Sequence, residues 1–178
     1  MANSDKPNGL TPIGTLSGSD YHGKMRKVAF AAGDAVAAYV GDLVKLTGTV
    51  DATGKIPVVA QSAAGDASIG VLVSLDFDAS DEGGLMTPLT RAASTARTGQ
   101  VVFGQDVLYK IQEDSDSNAI EITEAGLNRN IIVGTASNVT GSGMELDSTS
   151  AAGTSTLNMR LHHVFDSPDN VLGTNAQW

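Results

Sequence analysis

Residues 68–77 read SIGVLVSLDF, with Ile69, Val71, Val73, Leu75 and Phe77 on one parity and Ser68, Gly70, Ser74 and Asp76 on the other. Side chains on a strand alternate sides with period two, so the spacing predicts a β-strand with one face on a core and one toward solvent. The pattern recurs in TLNMRLHHVF at 156–165, where Leu157, Met159, Leu161, His163 and Phe165 share one face and Thr156, Asn158, Arg160 and His162 the other. Further short strands are expected at 22–30, 42–48, 55–60, 98–103, 106–112 and 131–135, with turn signals at 32–34, 51–54 and 64–66. Ile120 and Ile122 alternate with Glu121 and Thr123 in the same sense. Strands recurring about every ten residues fit an all-β sandwich or small barrel.

Other segments break the pattern. Residues 29–40 are rich in alanine and form the one helical candidate of any length, weakened by Gly33-Asp34. An acidic loop is expected at 78–84, and a short edge strand at 85–89, because Pro88 cannot donate to a ladder. Gly104 predicts a bulge or tight turn between two strands. Residues 113–118 turn the chain, 137–154 form a loop, and SPDNVLGTNAQW at 167–178 is a tail of turn residues ending in a tryptophan. Residues 1–20, with two prolines and no strand or helix period, read as an extended N-terminal arm, either frayed or ordered by lying across another surface. The expected organisation is thus an arm at 1–20 and a single β-domain at 21–178.

Composition narrows the function. The 178 residues are 41% hydrophobic but only 4% aromatic, with 20 glycines and no cysteine, which predicts a thin aliphatic core and excludes disulfides, thiol nucleophiles and zinc-thiolate sites. With 11 basic against 20 acidic residues the net charge is −9, and only Lys24, Arg26 and Lys27 gather, so a nucleic-acid groove is not expected. No apolar run approaches the roughly 18 to 20 residues that cross a bilayer, and MANSDKPNGLTP lacks the apolar core of a signal peptide. Neither a membrane nor a secretory route is expected.

Candidate chemistry is sparse. His162 and His163 are the obvious metal pair, but strand neighbours point to opposite faces and are not expected to chelate one ion; His163 reads as a core or interface histidine and His162 as solvated or at an interface. His22 stands alone. Asp114, Asp116 and Asn118 open like a calcium loop, yet Ala119 stands where the turn wants glycine and Ala125 where a bidentate glutamate should close it. A hydrogen-bonded turn is the expected use, with opportunistic calcium the alternative. Asp76, Asp78, Asp81 and Glu82 read as a solvated acidic loop. Neither a G-x-S-x-G elbow nor a phosphate-cradling glycine loop is present, and Asn138-Val139-Thr140 reads as a chance sequon. A carboxylate pair for glycoside chemistry would want aromatic platforms that the composition does not supply. No catalytic residue, cofactor or metal is expected, and the chain reads as a non-enzyme.

Five segments carry a specific resemblance: NSDKPNGLTPIGTLSGS at the start, GDLVKLTG, IGVLVSL, VLYKIQEDSDSNAI, and the final TSTLNMRLHHVFDSPDNVLGTNAQW. In order and character they resemble the cement, or decoration, proteins of tailed-bacteriophage heads. The resemblance implies a jelly-roll-like sandwich or small barrel that binds the outside of the expanded head, over junctions between major capsid proteins, as a homodimer or homotrimer. It implies a virion location after synthesis in the bacterial host cytoplasm, and a further strand beyond Trp178, left open here or supplied by a partner chain. Another virion structural role, in a tail or head fibre, is the alternative. By elimination, capsid or subunit contacts are expected from apolar residues in segments without a strand core of their own: Leu10, Pro12, Ile13 and Leu16 in the arm, and Val171, Leu172 and Trp178 in the tail. For Trp178 the other expectation is that it caps the core of its own domain.

Overall fold

The computed structural model describes residues 3–78, 89–116, 118–150, 153 and 156–178. In chain order the strands are β1 (Thr11–Thr15), β2 (Met25–Phe30), β3 (Ala38–Tyr39), β4 (Leu43–Val50), β5 (Pro57–Gln61), β6 (Gly70–Leu75) and β7 (Thr90–Arg91). There follow β8 (Arg97–Phe103), β9 (Val107–Lys110), β10 (Asn128–Arg129), β11 (Ile131–Val133), β12 (Met144–Leu146) and β13 (Met159–Arg160). The all-β class expected from the spacing is the class observed. Strands β2, β5, β4, β6 and β8 close in that order into a five-stranded barrel, and β1–β9, β3–β7, β10–β13 and β11–β12 form two-stranded ladders. Every pairing in the barrel is antiparallel except the β2–β5 seam, a single parallel register of Ala29 with Val58.

Strand β6 differs from its reading in one respect. The register slips between Leu72 and Ser74, leaving Val73 as an extra residue, so Leu72 and Leu75 both face the barrel interior. Val71, on the other side, packs into a second core. Both faces of this part of the strand are therefore buried, and Phe77, placed with the core by parity, is 56% exposed beyond its end. The barrel core gathers Val28, Phe30, Val44, Val59, Leu72, Leu75 and Val101. The second joins Leu10, Leu43 and Val71 to Ile111, Ile120, Ile131, Met144, Leu146, Leu161, Ala176 and Trp178. Each fully buried side chain of this size contributes roughly 1.5–3 kcal/mol. Gly70 marks the closest approach in the barrel: a Cβ there would stand 1.9 Å from the Val102 carbonyl oxygen.

Four further expectations are corrected. Residues 29–40 are not helical: Ala29 and Phe30 end β2, Ala38 and Tyr39 form β3, and between them the Ala31, Asp34 and Val36 carbonyls accept from a buried cation. Arg91, 0% exposed, donates from Nε to Thr95 O at 2.6 Å, from Nη1 to Val36 O at 2.6 Å, and from Nη2 to Ala31 O at 2.6 Å and Asp34 O at 3.0 Å. The segment at 156–165 pairs only through Met159–Arg160; beyond Leu161 the chain is extended without a ladder, and His163 is exposed. Around Ile120 the chain forms a 3-10 turn, Ile122–Glu124, closed by the Glu124 carboxylate accepting the Glu121 N–H at 2.8 Å, so Ile120 is buried and Ile122 is 70% exposed. The loop expected at 137–154 contains β12. The acidic loop and edge strand expected at 78–89, with Asp81, Glu82 and Pro88, lie outside the described residues apart from Asp78 and Leu89.

Candidate interaction surfaces

The first candidate surface comes from the arm and the tail, which are bonded to each other. The Asn3 side chain donates to the carbonyls of Val171 at 2.7 Å and Thr174 at 3.0 Å and accepts the Val171 N–H at 3.0 Å. Gln112, buried between them, donates to Ser4 O at 2.7 Å and Asn175 O at 3.0 Å and accepts the Lys6 N–H at 3.0 Å. Asn170 ties the tail to itself, donating to Phe165 O at 2.7 Å and Gln177 O at 2.8 Å. Polar side chains at distant positions thus fix two segments that lack any periodic signal.

The seven contact candidates separate on this scaffold. Leu10 and Trp178 are 2% and 6% exposed, and their side chains are taken by the chain's own second core. Leu10 is drawn in by its N–H donating to Gly41 O at 2.8 Å, where Gly9, at φ +69°, lets the two backbones meet. Trp178 is held by backbone bonds in both directions with Ile111 and by its indole N–H donating to Glu113 Oε2 at 3.2 Å. Pro12 is partly buried. Strand β1 pairs with β9, but its register slips between Pro12 and Gly14, and this bulge turns Ile13 outward. Leu16 is 57% exposed on the turn closed by the Thr15 N–H donating to Ser19 O. Val171 and Leu172 are each 48% exposed. Ile13, Leu16, Val171 and Leu172 remain as apolar groups offered to a partner.

Two hollows were not legible in the sequence. A cleft of about 920 Å³ runs between the barrel and the second core, walled by Leu16, Ile69, Phe103, Leu108, Tyr109 and Met159, with exposed Arg160 and His162 among its lining residues. A second hollow of about 630 Å³ is walled by Phe30, Val50, Val58 and Phe77, with Asp51, Asp76 and Asp78 in its lining. Each wall is assembled from strands far apart in the chain, which hydropathy cannot register.

The titratable groups have structural uses. His162 and His163 do not point apart, since no ladder holds them; their Nδ1 atoms are 2.5 Å apart and the rings meet edge-on with centroids 4.8 Å apart. Asp114 and Asp116 accept from Ser148, through its N–H at 3.2 Å and its hydroxyl at 2.7 Å, and Asp116 also accepts the Asn118 N–H at 2.6 Å, a hydrogen-bonded turn. Among the described residues no three His, Asp or Glu side chains converge to hold a metal ion. Arg129, 1% exposed, pairs with Glu124 at 2.7 Å and donates to the Asp147 and Ser148 carbonyls. Glu113, fully buried, accepts the Ile120 N–H at 3.0 Å and the Trp178 indole; desolvation outweighs both bonds and lifts its carboxyl to about 7. Glu145 is also lifted to about 7, by burial and then by the charges of Asp5 and Asp114.

Compared with protein-family models, curated proteins and solved structures, the chain matches none.

Proposed function

We propose that this chain is a cement protein of a tailed-bacteriophage head, one that binds the outer surface of the major capsid protein lattice and stabilises the expanded, DNA-filled shell. The resemblance of its five segments to that family supports the reading. The structural observation that carries it is the display of Ile13, Leu16, Val171 and Leu172 on an arm and tail already hydrogen-bonded together. A surface ordered before contact loses little conformational entropy on binding. Repetition over a symmetric shell then multiplies a weak contact, because each further link forms at high effective concentration. The role is binding and not turnover, and its partners are the capsid protein and other copies of this chain. A net charge of −9 keeps it off the packaged nucleic acid.

The test is co-sedimentation of the protein with expanded, undecorated capsids, with copies counted per shell. Saturation at a number fixed by the lattice axes is expected, and Leu16→Ser together with Leu172→Ser should weaken binding by about tenfold or more without changing the circular dichroism. Recovery of the protein with purified tails and not with shells would overturn the reading. Deleting residues 1–16, the simpler experiment that an independent arm would allow, is unsuitable, because it removes Leu10 from the core and β1 from its ladder.

A further inference from the structure

The two hollows share no lining residue, and they differ in charge. The larger is an apolar cleft with Arg160 and His162 in its lining. Among the described residues the exposed Arg160 guanidinium makes no ion pair, as is also true of Lys6, Arg26 and Lys55, but of these four only Arg160 lies in the cleft. The smaller hollow is lined by three aspartates and one buried arginine, Arg97, and its wall includes Phe77, a 56% exposed aromatic ring in the run Asp76-Phe77-Asp78. Asp76 already shares its charge with Lys27 at 2.9 Å. Asp51 is ionised at every ordinary pH, because the Ile56 N–H and the Thr53 hydroxyl bond to its carboxylate and hold it near 2.

We propose that Phe77 of one copy seats in the cleft of the next, between Leu16, Phe103, Leu108 and Met159, with the acidic groups around Phe77 facing Arg160 and His162. An exposed phenyl ring beside carboxylates is complementary in chemistry and sign to an apolar cleft whose lining includes the Arg160 cation. A buried aromatic anchor ringed by polar pairs is the arrangement that carries most of the affinity in protein contacts. The cleft, at about 920 Å³, has room for the ring and the backbone on either side of it. Because the two surfaces are different patches of one chain, the contact is heterologous: it runs head to tail and closes into a ring or continues as an open string. This inference rests on the part of the proposed function that names other copies of this chain as partners, and its test uses no capsids, so its failure and a failure of capsid binding are read separately.

The experiment is sedimentation velocity of the full chain from roughly 10 µM to 1 mM, the range in which contacts of modest area dissociate. Self-association is expected in the wild type and should weaken as salt is added. Phe77→Ser spoils the inserted group and leaves the cleft; Arg160→Glu spoils the cleft and leaves the inserted group. Both side chains are exposed, so both variants should keep the wild-type circular dichroism, and each alone should self-associate at least about tenfold more weakly. Mixed together, they retain one good surface each and should form a one-to-one dimer of about twice the 18.2 kDa of a single chain. A wild type that stays monomeric throughout, variants that associate as before, or a mixture that stays monomeric would each overturn the proposal.

Discussion

Glu113 and Glu145, with Asp42 and Asp114 raised in the same direction by burial, govern the pH response of the fold. Each glutamate titrates near 7 in the folded chain, against an ordinary value of 4.5. Between those values the folded state holds protons that the unfolded chain has released, so their contribution to stability is complete below about 4.5 and is lost as pH rises through about 7. Asp51, Asp66, Asp76, Asp106 and Asp116 are held below the usual carboxylate range by hydrogen bonds, so their opposite effect lies at more acid pH, outside this window. Urea unfolding should therefore show stability falling by on the order of 3–5 kcal/mol between about pH 5 and pH 8. Glu113→Gln, which has no proton to lose, should flatten that slope; an unchanged slope would remove Glu113 from the account. At this scale the sequence was only partly legible. Parity identified Val71 and Leu75 as buried but put them on one face, whereas they enter different cores, and it could not show that Glu113, Arg91 and Arg129 are buried, because their partners are carbonyls, N–H groups and a carboxylate brought in by the fold.

The short segment between β2 and β3 shows how one side chain can decide an element. Residues 31–37 have the alanines of a helix, yet their backbone closes only one tight turn, the Asp34 N–H donating to Ala31 O, and the Ala31, Asp34 and Val36 carbonyls all accept from the Arg91 guanidinium. Arg91→Met should leave the Val36 carbonyl and the Asp34 carboxylate without this donor, remove one of two donors from Ala31 O and Asp34 O, and lower the stability by about 3–5 kcal/mol, measured from the denaturant midpoint. Arg91→Lys should recover only part of this, since a single ammonium cannot reach four acceptors in a fixed fork. A loss below about 1 kcal/mol in Arg91→Met would show that the loop stands without it. The barrel strands were legible because each carries its own alternation and turn signals. The 156–165 strand was overread for a related reason: alternation says which side chains could share a face, and ladder partners exist only for Met159 and Arg160. The contact candidates in the arm and tail were chosen by elimination, which found the exposed Ile13, Leu16, Val171 and Leu172 but could not see that Leu10 and Trp178 meet in one core.

Across the whole molecule, β4 and β6 form a shared wall, with Leu43 and Val71 turned to the second core and Val44 and Leu72 turned into the barrel. Neither core can lose this wall and survive, so the two should unfold together. Trp178 is the chain's one tryptophan and belongs to the second core, so its fluorescence reports that core while far-UV circular dichroism reports chiefly the barrel strands. The two thermal transitions should coincide; a fluorescence transition well below the dichroism transition would show that the second core opens alone. Strand spacing gave the β-rich class, but not that both faces of β6 are buried, nor that the bulge at Val73 turns Leu75 into the barrel with Leu72. The shared wall also orders events at the ribosome. All five barrel strands lie between residues 25 and 103, so the barrel can close while the following residues are still being made. Leu10, Leu43 and Val71 must then wait, wetted and adhesive, until Ile111 through Trp178 emerge to cover them. The newborn chain is most open to capture by chaperones, or by other nascent copies, in that interval.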